Sequence, residues 1–124
     1  MAGAPISPGR IVAFSAITEA ATGLALMVVP AIVFSLLIGG ALPDSAVPVT
    51  RVAGIALLSL SIACWPERVT ASVPAMNGLL IYNALVAMYL GYVGAALNMG
   101  GMLLWPAVAI HAVVAAMLVW SRRG

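Results

Sequence analysis

Turn-forming clusters cut the chain into four apolar stretches, each about as long as a bilayer crossing requires. They run over about 11–29, 49–65, 74–97 and 102–120. A helix rises 1.5 Å per residue. A hydrocarbon core of about 30 Å therefore takes about 20 residues, with a range of roughly 17–25. Composition excludes the alternative of a water-soluble fold. Of the 124 residues, 65% are hydrophobic and 6% charged, whereas a soluble domain carries roughly 25% charged residues. A soluble domain of this size would bury only about 60–70% of the surface its unfolded chain exposes, leaving far too much apolar surface in water. The expected fold is all-α, a polytopic membrane four-helix bundle formed by residues 1–124 as a single transmembrane domain.

The breaks carry turn chemistry. Gly39-Gly40-Ala41-Leu42-Pro43-Asp44-Ser45 separates the first two spans, Pro66-Glu67-Arg68 opens the second break, and Asn98-Met99-Gly100-Gly101 makes a short third one. Trp65, Trp105 and Trp120 fall at span ends, where the indole prefers the membrane interface. The segment 31–38 admits two arrangements. It can extend the first helix past a proline kink to about 42 Å, well beyond the hydrocarbon core. Alternatively Pro30 ends the span and a short interfacial helix follows; proline removes a helical hydrogen bond, which favours this second arrangement. The first stretch reads as a retained span rather than a cleaved leader, because Glu19 interrupts what would be the leader's apolar region.

The net charge is +2, from five arginines and three acidic residues. No basic stripe is present, so no nucleic-acid partner is expected; the arginines orient the chain instead. With four crossings, Arg10, Arg68, Arg122 and Arg123 share one side and Arg51 lies on the other. The positive-inside rule then places both termini in the cytoplasm. The lone Cys64 excludes an internal disulfide and a CxxC site. No metal site is expected.

Each span carries one strongly polar residue: Glu19, Arg51, Asn83 and His111. Such groups are costly at membrane depth, so they face the protein interior and pair. Glu19, Asn83 and His111 fall near mid-bilayer. Arg51 lies near the outer end of its span, able to snorkel outward or to reach inward towards Glu19. Small residues recur at four-residue spacing beside them: Ser15 and Gly23 flank Glu19; Ala87, Gly91 and Ala95 follow Asn83. With Gly54, these are the candidate helix-packing positions, since small residues let membrane helices approach closely.

Two readings of the polar residues stay open. In one, Glu19 neutralises Arg51 while Asn83 and His111 hydrogen-bond between helices, which specifies packing. In the other, the four residues are binding or proton-relay candidates, with Glu19 and His111 at the centre. A haem held by His111 is a weaker alternative, because one histidine supplies one ligand. No catalytic residue is assigned. The chain carries no GxxxxGK[ST], HExxH or GxSxG pattern, and its short loops leave little room for an enzyme site outside the membrane.

The runs Thr22-Gly23-Leu24-Ala25-Leu26-Met27-Val28-Val29-Pro30-Ala31 and Arg51-Val52-Ala53-Gly54-Ile55-Ala56-Leu57-Leu58 resemble the first two helices of DoxX-like small membrane proteins. That resemblance implies a four-helix bundle with a proline-ended first span and an accessory or redox-linked role. Ala16-Ile17-Thr18-Glu19 and Leu26-Met27 are similar to the first helix of small multidrug resistance exporters, which implies proton exchange at Glu19. The first expectation for function is an accessory or self-associating subunit, a homo-oligomer or part of a larger membrane complex. A proton-coupled small transporter or channel using Glu19 and His111 is the alternative, and a haem- or quinone-binding subunit the weaker third.

Overall fold

The computed structural model describes residues 6–67 and 70–123. Arg68, one of the arginines used for orientation, lies outside the described residues. The helices are α1 (Pro8–Val28), α2 (Pro30–Leu37), α3 (Val47–Ala63), α4 (Val73–Ala95) and α5 (Leu104–Ser121). A single 3-10 turn, Asp44–Ala46, leads into α3. Helices α1, α4 and α5, and α3 together with that turn, are each long and apolar enough to cross a membrane. The surface agrees: Ile17, Ile81, Met88 and Val113 are all more than half exposed on the long helices. Helices apolar on every side suit lipid as the surrounding solvent. The chain is an all-helical, multi-pass membrane bundle.

Proline sets several helix starts. Pro8 and Pro30 stand at the first positions of α1 and α2, and Pro48 and Pro74 at the second positions of α3 and α4. There the missing N–H would have no helical partner anyway. Ser72 caps α4 by accepting the Ala75 N–H at 3.3 Å. At Pro30 the first long stretch divides in two. The ring disfavours a helical conformation for the residue before it, and Val29 accordingly takes φ −130° and ψ 56°. Helix α1 ends there, and α2 turns back against α1, α3 and α5.

Helix α1 is the central element. It packs along α3 on one side and meets α4 and α5, themselves a closely packed pair, on the other. It buries Ile11, Val12, Ser15, Ala16, Glu19 and Gly23, whereas α3 buries only Gly54 and Ser61. The α1–α3 crossing is antiparallel and rests on backbone contact. A Cβ at Gly23 would meet the Gly54 carbonyl oxygen at 2.7 Å, and one at Gly54 would meet the Gly23 oxygen at 2.5 Å. Only glycine permits that approach.

The two ends of the bundle differ. The end that carries the chain termini has a packed centre. Ile11, Val12, Leu79, Val114 and Leu118 pack there with Cys64, Ala75 and Met76. The other end holds a half-open cavity of about 550 Å³ between α1, α2, α4 and α5, with Leu57 of α3 also on its wall. Helix α2 forms its roof and is tied to the α4–α5 connection by two backbone bonds. Gly101 N–H donates to the Leu37 carbonyl at 3.0 Å, and Leu103 N–H to the Leu36 carbonyl at 2.9 Å. A Cβ on Gly101 would collide with the carbonyls of Ser35 and Leu36.

Candidate functional site

The polar site lies where the solid end meets the cavity. Helix α1 supplies Ser15 and Glu19 one turn apart, α4 supplies Tyr82 and Asn83, and α5 supplies His111. These residues reach one level because α1 and α4 run from the same end of the bundle and α5 returns between their faces. Glu19 and Asn83 are each 1% exposed, as is Ser15.

Their hydrogen bonds form a directed chain. The Asn83 amide nitrogen donates to Ser15 Oγ at 3.0 Å and to the Leu79 carbonyl at 2.8 Å. A carbonyl can only accept, so the Leu79 contact orients the Asn83 amide. Its oxygen Oδ1 then faces His111 Nδ1 at 2.8 Å, and Nδ1 must carry the proton. In the neutral imidazole this leaves Nε2 as the basic nitrogen. Tyr82 meets the His111 ring edge-on, with centroids 5.8 Å apart, and also stands against the Glu19 carboxyl.

Glu19 is the odd member. Its Oε1 is buried and has no hydrogen-bond partner. His111 Nδ1 lies 3.8 Å away, within ion-pair range but too far for a hydrogen bond. A buried polar atom without a partner is costly unless something binds it. Glu19 lines the cavity floor with Tyr82 and His111. Thr18 and Thr22 lie on the wall, with their hydroxyl hydrogens given to the carbonyls of Phe14 and Thr18. The rest of the lining is aliphatic apart from Pro106, and it contains no Lys or Arg. Ala21, Leu103, Pro106 and Ile110 on the rim are exposed, so the cavity meets the membrane sideways between helices.

The sequence candidates divide accordingly. Glu19, Asn83 and His111 come together; Arg51 does not join them. It is exposed on α3, and among the described residues the one acid–base pair within 4.0 Å is Glu19 with His111. The register explains why the Glu19–Arg51 neutralisation of one reading does not form, and His111 stands nearest Glu19 instead. With Gly23 against Gly54 and Leu26 also at Gly54, Arg51 sits level with residues 26–29. Glu19 lies two to three turns away, about 10–15 Å along the axis. Among the packing candidates, Gly23 and Gly54 meet at the α1–α3 crossing and Ser15 serves as a hydrogen-bond acceptor. Gly91 faces open space, and Ala95 is exposed. The close approach of α4 to α5 is made three residues beyond Gly91, at Gly94, where a Cβ would press on Leu104 and Trp105.

Two residues have no mark in the sequence: Tyr82 lies among mainly apolar neighbours, and Gly101 reads only as part of a turn cluster. Tyr82 precedes Asn83 on α4, and only the α4–α5 packing angle brings its ring to His111. His111 offers one nitrogen to a haem, since Nδ1 is engaged by Asn83. Among the described residues no three His, Cys, Asp or Glu side chains converge as a metal site would require. Comparison with known protein families, with characterised proteins and with solved structures found no match for this chain.

Proposed function

We propose that this protein is a small multi-pass transporter that exchanges protons for an amphipathic amine at the Glu19–His111 site. One observation carries the reading: Glu19, whose carboxyl has one fully buried and unpartnered oxygen, is a lining residue of a mainly aliphatic cavity. The site is rich in acceptors, namely the carboxyl group, two threonine oxygens and His111 Nε2, and has no basic residue in its lining. An anionic head would meet no countercharge there. An ammonium group would satisfy the carboxylate, and a proton would satisfy it equally well, so the two compete for one carboxylate. That competition is the physical basis of exchange. The aliphatic walls receive the apolar body of the amine, and the exposed rim admits it from the lipid phase.

With both termini in the cytoplasm, as the arginines argue, the cavity lies in the outer half of the bundle and the solid core in the inner half. Transport then requires the inner core to loosen when the cavity is loaded. The test is flux in liposomes. Wild-type protein acidifies or alkalinises the lumen in response to a lipophilic tertiary amine, and Glu19→Gln, which keeps the shape and removes the exchangeable charge, abolishes that response. Equal responses overturn the proposal.

A second reading, an accessory subunit, has its own support. Helix α3 sits at the margin against α1, and Val49, Val52, Ile55 and Ile62 are exposed along it, with Arg51 on the same element. A membrane partner, or a second copy of the chain, would cover this face. Mass measurement after mild detergent extraction tests it, and a lone monomer counts against it.

A further inference from the structure

A second groove, separate from the Glu19 cavity, runs down the outside of the bundle between α1 and α5. Its volume is about 470 Å³, and it is lined by aliphatic side chains of α1 and α5 together with Ile6, Phe14 and Met117. Ile110 stands between this groove and the Glu19 cavity, lining both. The groove has a single polar group, Arg10, at the end near the termini. Arg10 is exposed and has no carboxylate within 4.0 Å among the described residues.

We infer that this groove seats an acyl chain of an anionic phospholipid whose phosphate is held by Arg10. A groove between two membrane helices forfeits dispersion contacts unless something fills it, and what surrounds it is lipid. The lining between Ile11 and Met117 has no hydrogen-bonding side chain, which suits a hydrocarbon chain and nothing polar. Arg10 sits in the first turn of α1, at the depth of the headgroups, where a guanidinium pairs with phosphate oxygens in a planar fork. An anionic headgroup adds net attraction that a zwitterionic one lacks. Charge also argues against a second copy of the chain as the occupant. A two-fold contact through this face, with both copies oriented alike in the membrane, would bring Arg10 against its own equivalent.

The test is lipid retention. Protein reconstituted into an equimolar mixture of phosphatidylglycerol and phosphatidylcholine is released from the membrane and weighed intact by native mass spectrometry. Wild type is expected to retain phosphatidylglycerol over phosphatidylcholine by about fivefold, the preference one interfacial arginine supplies. Arg10→Gln should reduce that preference to near equality; the position is exposed, so folding is unaffected. Ala109→Phe, which fills the groove, should lose both lipids. Arg123→Gln, outside the groove, should behave as wild type. Retention by Arg10→Gln equal to wild type, retention surviving in Ala109→Phe, or no preference in wild type would each overturn the inference.

Discussion

The two ends of this bundle are built from the same amino acids for opposite ends. Near the termini, Val12, Leu79 and Leu118 are completely buried, and α1, α4 and α5 interlock around them. Beyond Glu19 the same three helices carry Leu26, Val86, Leu90 and Ala107, residues just as apolar, yet these line a cavity. The difference lies in how the helices are held apart. At the hollow end α2 wedges in as a roof, bonded to the α4–α5 connection, and α1 leans onto α3 at Gly23–Gly54. Hydrophobic sequence therefore does not by itself make a core in a membrane, where lipid is as good a neighbour as another side chain. The polar layer of Ser15, Glu19, Asn83 and His111 marks the boundary, so each end can be altered on its own.

The largest effect belongs to the boundary itself. Glu19→Gln should lower amine-driven proton flux by about a hundredfold, the scale expected when an essential proton carrier is removed, while leaving the protein folded. Next comes the solid end. Leu79→Ala should destabilise the bundle by about 2–5 kcal/mol, because a fully buried leucine leaves a cavity that helices pinned on both sides cannot close. Leu90→Ala, at the hollow end, should cost well under half as much, since it only widens a space already present. Unfolding titrations of the two variants in the same micelles check this, and equal losses would mean that the cavity is as tightly held as the core.

A smaller effect is expected at the α1–α3 crossing. Gly54→Ala places a Cβ on the Gly23 carbonyl oxygen, so the helices must separate, at a cost of about 1–3 kcal/mol from overpacking. Because this contact supports the hollow end, the variant should also reduce amine binding, whereas Gly91→Ala, with open space beside it, should change neither property. Thermal unfolding and ligand binding measured on both variants separate a crossing glycine from a bystander.

How much of this was legible beforehand follows from what each feature depends on. The spans depend on length and apolarity, which are local, and each helix ends within about one turn of its expected span, as the prolines and turn clusters foretell. Glu19, Asn83 and His111 stood out because ionisable and amide groups are rare and costly at membrane depth, and their separate positions near mid-bilayer put them at one level. The register between antiparallel helices was not legible. Arg51 looked close enough to Glu19 only until Gly23 and Gly54 set how α3 slides along α1. The choice of Gly94 over Gly91 depended on the rotation of α4, which a stripe of small residues does not determine. The roof depended on Gly101 meeting α2, a contact between segments more than sixty residues apart.

The smallest expected effect tests whether the polar layer is a device or a brace. Asn83→Leu removes the bonds to Ser15, the Leu79 carbonyl and His111 together. Interhelical hydrogen bonds in membranes contribute about 0.6 kcal/mol on average, so stability should barely change. The tautomer, however, should change. Without Asn83 Oδ1 to hold a proton on Nδ1, neutral His111 can place it on either nitrogen, and nitrogen NMR of the labelled ring should show a mixture where wild type shows the Nδ1–H form alone. A large loss of stability with the tautomer preserved would make Asn83 a brace. A lost tautomer with little loss of stability would make it the group that keeps His111 Nε2 basic beside the Glu19 cavity, and amine-driven flux should then fall with it.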